Sequence, residues 1–346
     1  MLQFIERLLV WLRGETLKLL LLAGVLLLVW GTLSPVGTLV WWLSQSAGSL
    51  GLNKNQRKLP SGVNTKRYRV GGRSTEAVKS TKIDCYLIYL PGVGDFSANE
   101  VTPGEEFFLK HLIELHPNCV AVSDVFPYSV ANESLGGQRL LAPLWRAAKD
   151  ADGWLSNADI LIKIRNLWRF AISADERYGP IYNLGIANAI IDRMNAAHPM
   201  PQSSNQPLKL VLISTSGGAQ VALGAVSYLE QRLNAELFVI SVGGSFDGNT
   251  GFDEVDHMYH LQGRRDWVED ITRLLFASRW PLTVGSPFNQ ARREGRYTVQ
   301  VSGPHAHDGA EGYFGQAFVG TSKTTYVELT LQKVNQLPIW SNQQGD

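Results

Sequence analysis

The chain has little that could bind a metal or hold a fold together covalently. Only two cysteines, Cys85 and Cys119, occur among its 346 residues. That is too few for a disulfide-stapled framework, and no C-x-x-C or H-E-x-x-H spacing accompanies them, so a structural zinc site is not expected. Each cysteine lies at or near an apolar, strand-like run, and both are expected to be buried thiols. An excess of either charge is also missing. There are 32 basic residues against 31 acidic ones, for a formal net charge of +1. This balance gives no reason to expect nucleic acid as a partner. There is no G-x-x-x-x-G-K-[ST] and no G-x-G-x-x-G after a first strand, which removes the common phosphate-cradling loops. No internal repeat is present.

What the chain does have is apolar residues, 45% of the total, with only 18% charged. Part of that excess is concentrated near the start. Leu19 to Leu43 carry no charge. At 1.5 Å per residue such a run extends roughly 37 Å as a helix, enough for a hydrocarbon core of about 30 Å. Trp41 and Trp42, and less well Trp30, suit interfacial anchoring, while Gly31 and Pro35 weaken the middle and allow a kink. Met1 to Glu15 mixes apolar residues with Glu6, Arg7 and Arg13, as a helix lying on a bilayer surface does. A cleaved signal peptide is the rival reading. Its apolar core would be unusually long, and only a weak small-residue site lies near Ser44 to Ala47, so a retained single-pass anchor is expected. After the run come Lys54, Arg57, Lys58, Lys66, Arg67, Arg69 and Arg73 with no acidic residue between them. The positive-inside tendency puts the remainder of the chain on the cytoplasmic side, although such a flank can also simply hug anionic headgroups. The expected organisation is an anchor at 1–46, a basic linker at 47–82 and a soluble domain at 83–335.

The soluble domain alternates strands and helices. Ile83 to Leu90 is a near-continuous apolar strand that runs into Pro91-Gly92-Val93-Gly94. A helix over Gly104 to His116 comes next, with Phe107, Phe108, Leu112 and Leu115 at helical spacing, and then a strand from Cys119 to Ser123. Residues 128–175 form an excursion too long for a regular crossover, with helical patches at Leu140 to Lys149 and Ile160 to Ile172. Trp145, Trp154 and Trp168 fall there and serve either as its own core or as a substrate wall. A helix at Tyr182 to Ala197 leads to Leu208 to Ile213, a strand rich in branched residues. Further strands are expected at Leu237 to Val242, Met258 to Gln262 and Tyr297 to Val301, with a helix from Trp267 to Ala277. This order implies an α/β fold with a mostly parallel, doubly wound sheet, whose ligand site lies off the carboxyl ends of the strands.

Chemistry concentrates at those carboxyl ends. The strand at Leu208 passes through Ser214-Thr215-Ser216-Gly217-Gly218 into a helix-compatible run. A serine at the apex of a sharp strand-to-helix turn is a nucleophile elbow, and the residues two before and two after must be small; Ser214 and Gly218 meet that demand as S-x-S-x-G. A serine hydroxyl needs an imidazole to take its proton and a carboxylate to orient the imidazole. Asp266 comes after the Met258 strand, and His305 and His307 come after the Tyr297 strand, so the chain order is Ser, Asp, His. Asp266 could instead pair with Arg264 and Arg265 at the surface. His305, His307 and Asp308 form an H-x-H-D run, but no further ligand cluster accompanies it and no metal is expected.

With these residues in that order the chain resembles the α/β-hydrolase superfamily over roughly Ile83 to Thr330, with the 128–175 excursion in the position of the family's helical lid. The resemblance implies Ser216 as nucleophile, Asp266 as acid and His307 as base, with His305 as the alternate base. Asp247 is an alternate acid, because some relatives place the acid at the end of the preceding strand. His307-Asp308-Gly309 and Gly312-Tyr313-Phe314 resemble a histidine and glycine-rich tail of bacterial relatives. It also implies an oxyanion hole from the N–H groups of Gly217 and Val93, on a loop where relatives often carry His-Gly-x-Gly. The expected activity is hydrolysis of an acyl ester or thioester, without a cofactor, on an apolar substrate near the bilayer. An acyltransferase on the same scaffold and a non-enzymatic membrane scaffold are the alternatives.

Overall fold

A computed structural model describes residues 83–93, 101–128, 158–200 and 206–340. The anchor expected at 19–43, the linker at 47–82, Gly94, Trp145 and Trp154 lie outside the described residues. Among the described residues no helix is long and apolar enough to cross a membrane.

Six strands form one sheet. They are β1 (Cys85–Leu90), β2 (Cys119–Val122), β3 (Leu208–Thr215), β4 (Ala235–Val242), β5 (His257–Gly263) and β6 (Tyr297–Gly303). All adjacent pairs are parallel, and the spatial order is β2-β1-β3-β4-β5-β6. The connections are α1 (Pro103–Leu115), α2 (Ala158–Ala174), α3 (Gly179–Ala197), α4 (Gly218–Glu230), α5 (Trp267–Leu275) and α6 (Pro287–Arg293), with α7 (Tyr326–Asn335) after the last strand. The α/β architecture expected from the sequence is therefore present.

A parallel sheet must be covered on both faces, because its crossovers place helices on each. The period-2 alternation of strand side chains divides the core accordingly. Tyr86, Ile88 and Leu90 of β1 join Leu210 and Leu212 of β3 under Ile186 and Ile190 of α3 and Val221 and Leu223 of α4. Cys85, Leu87 and Tyr89 join Val211 and Ile213 under Phe108, Leu109 and Leu112 of α1 and Val327 and Val334 of α7. Helix starts obey local chemistry. Thr102 caps α1 and Thr325 caps α7, each in a reciprocal capping box with a glutamate three residues on, Glu105 and Glu328. The second box, Thr325 to Glu328, is a readable sign of a helix that the alternation of strands alone does not predict. Helix α6 begins with Ser286 capping Asn289 and Pro287 in the first turn.

The chain goes from β1 outward to β2, then returns to place β3 on the other side of β1. The loops after β1 and β3 thus leave the sheet in opposite directions. Such a switch point, at the carboxyl ends of the strands, is where α/β folds bind ligands.

One expectation is corrected. Cys85 and Cys119 are not free thiols; they form a disulfide, 34 residues apart in sequence. They are register partners on adjacent parallel strands, with Cα atoms 4.3 Å apart. The sequence separation carried no hint of this, because strand register is a tertiary property. Free-thiol titration of the denatured chain should find no thiol without reductant and two with it. Cys119→Ser together with Cys85→Ser should lower the unfolding free energy by about 3 to 4 kcal/mol, read by denaturant titration.

Candidate active site

The site starts from strain at one residue. Ser216 has φ of +46° and is the sole non-glycine residue with positive φ among the described residues. For an L-residue this conformation costs on the order of 1 kcal/mol or more, and it persists only where the surroundings enforce it. They do so through packing and hydrogen bonds. β3 is buried between β1 and β4, and α4 starts two residues after Ser216. The Ser216 carbonyl accepts from Ala219 N–H at 3.1 Å and from Ser245 N–H at 2.8 Å. A Cβ on Gly218 would stand 2.3 Å from the Leu90 carbonyl oxygen, so only glycine lets α4 approach β1 this closely. Ser214, where glycine is commoner, is fully buried and donates its hydroxyl to the Ile240 carbonyl at 3.4 Å.

The histidine comes from the loop after β6. His307 Nε2 lies 3.0 Å from Ser216 Oγ, and His307 Nδ1 lies 2.9 Å from Asp266 Oδ1 and 3.1 Å from Oδ2. A carboxylate can only accept, so Nδ1 carries the proton and Nε2 is left to accept from the serine. The imidazole side chain is 15% exposed, while that of Asp266 is fully buried. Arg265 holds this loop in place. It donates from Nε to the Pro304 carbonyl at 2.7 Å and from a terminal nitrogen to Glu311 at 2.6 Å. Asp266 is thus the partner of His307 and not of the neighbouring arginines.

Asp266 caps α5, accepting from Val268 N–H at 3.1 Å. Its second oxygen accepts from the Tyr313 hydroxyl at 2.7 Å, and Tyr313 oxygen accepts in turn from Gly263 N–H at 2.7 Å. Burial pushes the Asp266 carboxyl up, but the His307 contact and the Tyr313 hydroxyl outweigh it and leave it below its ordinary value. Burial and the adjacent carboxylate push Tyr313 far above the ordinary phenol range, so it stays a donor. Gly243 makes room for both groups: a Cβ there would meet the Tyr313 ring at 2.3 Å and Asp266 Oδ2 at 2.8 Å. The sequence contained Tyr313 in a recognisable run but gave no sign that it would hold the carboxylate.

The alternates have other duties. His305 is fully buried, with Nδ1 3.0 Å from Ser302 Oγ and Nε2 3.1 Å from both the Tyr326 carbonyl and Thr330 Oγ1. Its ring stacks on Tyr313 at 5.0 Å. It packs the residue that holds Asp266 and does not reach Ser216. With both His305 nitrogens occupied and His307 turned to Asp266 and Ser216, the H-x-H run cannot close on a metal. Among the described residues no group of three or more His, Cys, Asp or Glu is arranged to do so. Asp247 closes a turn, accepting from Asn249 and Thr250 N–H at 2.8 Å each, and bonds Gln220; its carboxylate is committed there and not to His307.

Val93 and Gly217 abut beside Ser216. A Cβ on Gly217 would stand 2.4 Å from Val93 Cγ2, and one on Gly92 would stand 2.8 Å from Ser216 Cβ. Two residues of the excursion support them. Asn166 on α2 donates to the Val93 carbonyl at 3.0 Å, and Tyr128 donates to the Gly217 carbonyl at 2.8 Å. Phe170 of α2 lies against Gly217 as well. Of the three tryptophans singled out by sequence, Trp168 is described, partly exposed on α2.

Beneath α5 runs a buried polar chain that sequence spacing does not reveal. Ser241 Oγ lies 3.0 Å from His260 Nδ1. His260 Nε2 stands 3.6 Å from Glu269, outside hydrogen-bond reach, and Glu269 accepts from Arg279 at 2.7 Å and from Gln262 at 2.8 Å. Burial pushes the Glu269 carboxyl up; its neighbours His260 and Arg279 pull it down further, to about 2. Arg279 is the partner that matters, since burial lowers His260 and keeps it neutral. A carboxylate held below its ordinary 4.5 stabilises the fold fully above that pH and loses the contribution as pH falls towards 2. Glu269→Gln should therefore lower stability at neutral pH by about 3 kcal/mol, because it strands a buried guanidinium. The gap to the parent should close as pH falls from 5 towards 2 in denaturant titrations.

No protein-family model matches the chain, and comparison with curated proteins finds no match.

Proposed function

We propose that this protein is a serine hydrolase of the α/β-hydrolase type. The observation that carries the reading is the unbroken hydrogen-bonded line Ser216 Oγ, His307, Asp266, starting from a strained serine at a parallel sheet's switch point. In the proposed reaction, Ser216 Oγ attacks an acyl carbonyl while His307 Nε2 takes its proton. Asp266 keeps Nδ1 protonated and stabilises the imidazolium, and Tyr313 keeps Asp266 from turning away. The carbonyl oxygen becomes an oxyanion held by the N–H groups of Gly217 and Val93. His307 then protonates the leaving alcohol or thiol, and water repeats the sequence to free the acid and restore Ser216.

An acyl ester or thioester with an apolar chain suits the reading. The excursion contributes Phe170 on α2 beside the elbow, and the sequence expects a bilayer anchor upstream. The same acyl-enzyme could be resolved by an alcohol instead of water. Product analysis with and without an added acceptor separates a hydrolase from an acyltransferase. A non-enzymatic scaffold on the same fold would leave the serine inert. A fluorophosphonate probe should label Ser216, and Ser216→Ala should abolish labelling. Esterase turnover should fall at least about a thousandfold in Ser216→Ala and on the order of 10⁴-fold in Asp266→Asn. A folded chain that the probe leaves unlabelled would sink the proposal.

The two topology signals point in opposite directions. The basic flank at 54–73 favours the cytoplasmic side. The Cys85–Cys119 disulfide favours an oxidising compartment, since such bonds rarely persist in a reduced cytosol. We place more weight on the disulfide, because it is a bond between register partners while the flank is a statistical tendency. Protease added outside intact cells or right-side-out membrane vesicles should then digest the domain; protection until the membrane is permeabilised would restore the cytoplasmic assignment.

A further inference from the structure

Helix α5 is amphipathic the wrong way round. Its inward face carries Glu269 and Thr272, both buried. Its outward face carries Trp267, Ile271, Leu274 and Leu275, which are 65%, 46%, 70% and 73% exposed. Apolar residues at this spacing ordinarily turn to the core. Here the core side is satisfied by the buried Glu269–Arg279 pair and by Thr272 Oγ1 donating to Ser245 Oγ at 3.0 Å, so the polar face is locked inward and the leucines cannot follow it.

The next turn adds to the same surface. Trp280, Leu282 and Val284 are exposed, Leu282 by 89%. This is not a slack loop. Trp280 donates to the Leu274 carbonyl at 3.1 Å, and Asn289 donates to the carbonyls of Trp280 and Thr283 at 2.8 and 2.9 Å. Arg293 donates to the Val284 carbonyl at 2.8 Å. The chain thus uses its hydrogen bonds to hold apolar tips out in water.

The charges around the patch are mostly of one sign. Arg264, Arg292 and Arg293 are exposed, Arg273 is paired with Asp270 and Arg265 with Glu311, and the carboxylates Asp266 and Glu269 are buried. Glu294, just beyond, is taken up by Arg296. Arg273 and Arg292, with Asp270, Leu274 and Trp280, line a cleft of about 890 Å³ that includes none of Ser216, Asp266 and His307. An anionic lipid surface suits both features, taking tryptophan and leucine into the acyl boundary and arginine at the phosphates. The site lies close by: Asp266 is the cap of α5, and Phe276 at its end packs on Phe170 with ring centroids 5.9 Å apart. Phe170 in turn touches Gly217.

We propose that α5 and the 280–284 turn form a bilayer-docking surface for anionic membranes, which seats the carboxyl ends of the strands against the lipid. The upstream anchor expected from sequence would supply proximity, and this surface supplies orientation. The inference goes beyond the hydrolase reading and does not depend on Ser216 being a nucleophile.

The test uses the full chain in vesicles of phosphatidylcholine with and without phosphatidylglycerol. The native cysteines are both in the disulfide, so a single introduced thiol is unique. An environment-sensitive fluorophore is placed at Leu274→Cys, at Leu282→Cys, and at Lys110→Cys on α1 as a control. Acyl-chain spin-labelled lipid should quench the labels at 274 and 282 several-fold more than that at 110, and phosphatidylglycerol should widen the difference. Equal quenching at all three positions overturns the proposal. So does shielding at 274 that tracks protein density and not the quencher, which would mark a second copy as the occupant. Repeating the measurement in Ser216→Ala, which is blind to hydrolysis, lets docking fail or succeed separately from catalysis.

Discussion

Asp266 and His307 arrive from different loops, after β5 and after β6, and the hydrogen bond of 2.9 Å between them is what makes those loops one site. Neither residue is held by it alone. Asp266 is fixed as the cap of α5 and by the Tyr313 hydroxyl, and Tyr313 is stacked on by His305, which is itself fully hydrogen-bonded in the core. The Arg265 contacts to Pro304 and Glu311 close the same loop from outside. Orientation of the imidazole is thus built outward from a buried carboxylate, through groups each held by a further hydrogen bond or ring contact. The strain at Ser216 is enforced from the other side, by the close approach of α4 to β1 and by two amides on its carbonyl.

The same constraint of satisfying buried polar groups shapes the outer surface. Capping by Asp266 sets where α5 begins, and the Glu269–Arg279 pair sets which way it faces. A buried ion pair contributes little net stability compared with apolar packing, and its retention is better understood as a device for specifying one arrangement. Here the arrangement it specifies turns Trp267, Leu274 and Leu275 to the outside. The buried carboxylate and the apolar surface are therefore two faces of one short helix, and the orientation of one cannot change without the other.

The sheet was legible because its strands are buried on both faces. Leu208 to Ile213 and Leu237 to Val242 read as apolar runs for that reason, and each lies within an observed strand. The elbow was legible because strain at one residue demands small neighbours at fixed offsets, and Gly218 and Ser214 stand at those offsets. The order of Ser216, Asp266 and the histidines came from strand ends. His307 could not be separated from His305 by any local rule, as two residues on one loop differ only in which way the backbone turns them. Tyr313, Asn166 and Tyr128 were invisible as site residues, since each acts through a contact across 47 to 89 positions of chain.

What the sequence determined by itself was the alternation of elements, their burial, and the offsets around Ser216, all of which are local and derive from the 2.0 and 3.6 residue periods of strand and helix. What only the tertiary structure decided was register and direction. Strand register joined Cys85 to Cys119, where local reading expected two thiols. Packing and buried hydrogen bonding brought His307, and not His305, within reach of Ser216, and Asp266, and not Asp247, to His307. They also turned the apolar stripe of α5 outward, with the Glu269–Arg279 pair and Thr272 on the inner face.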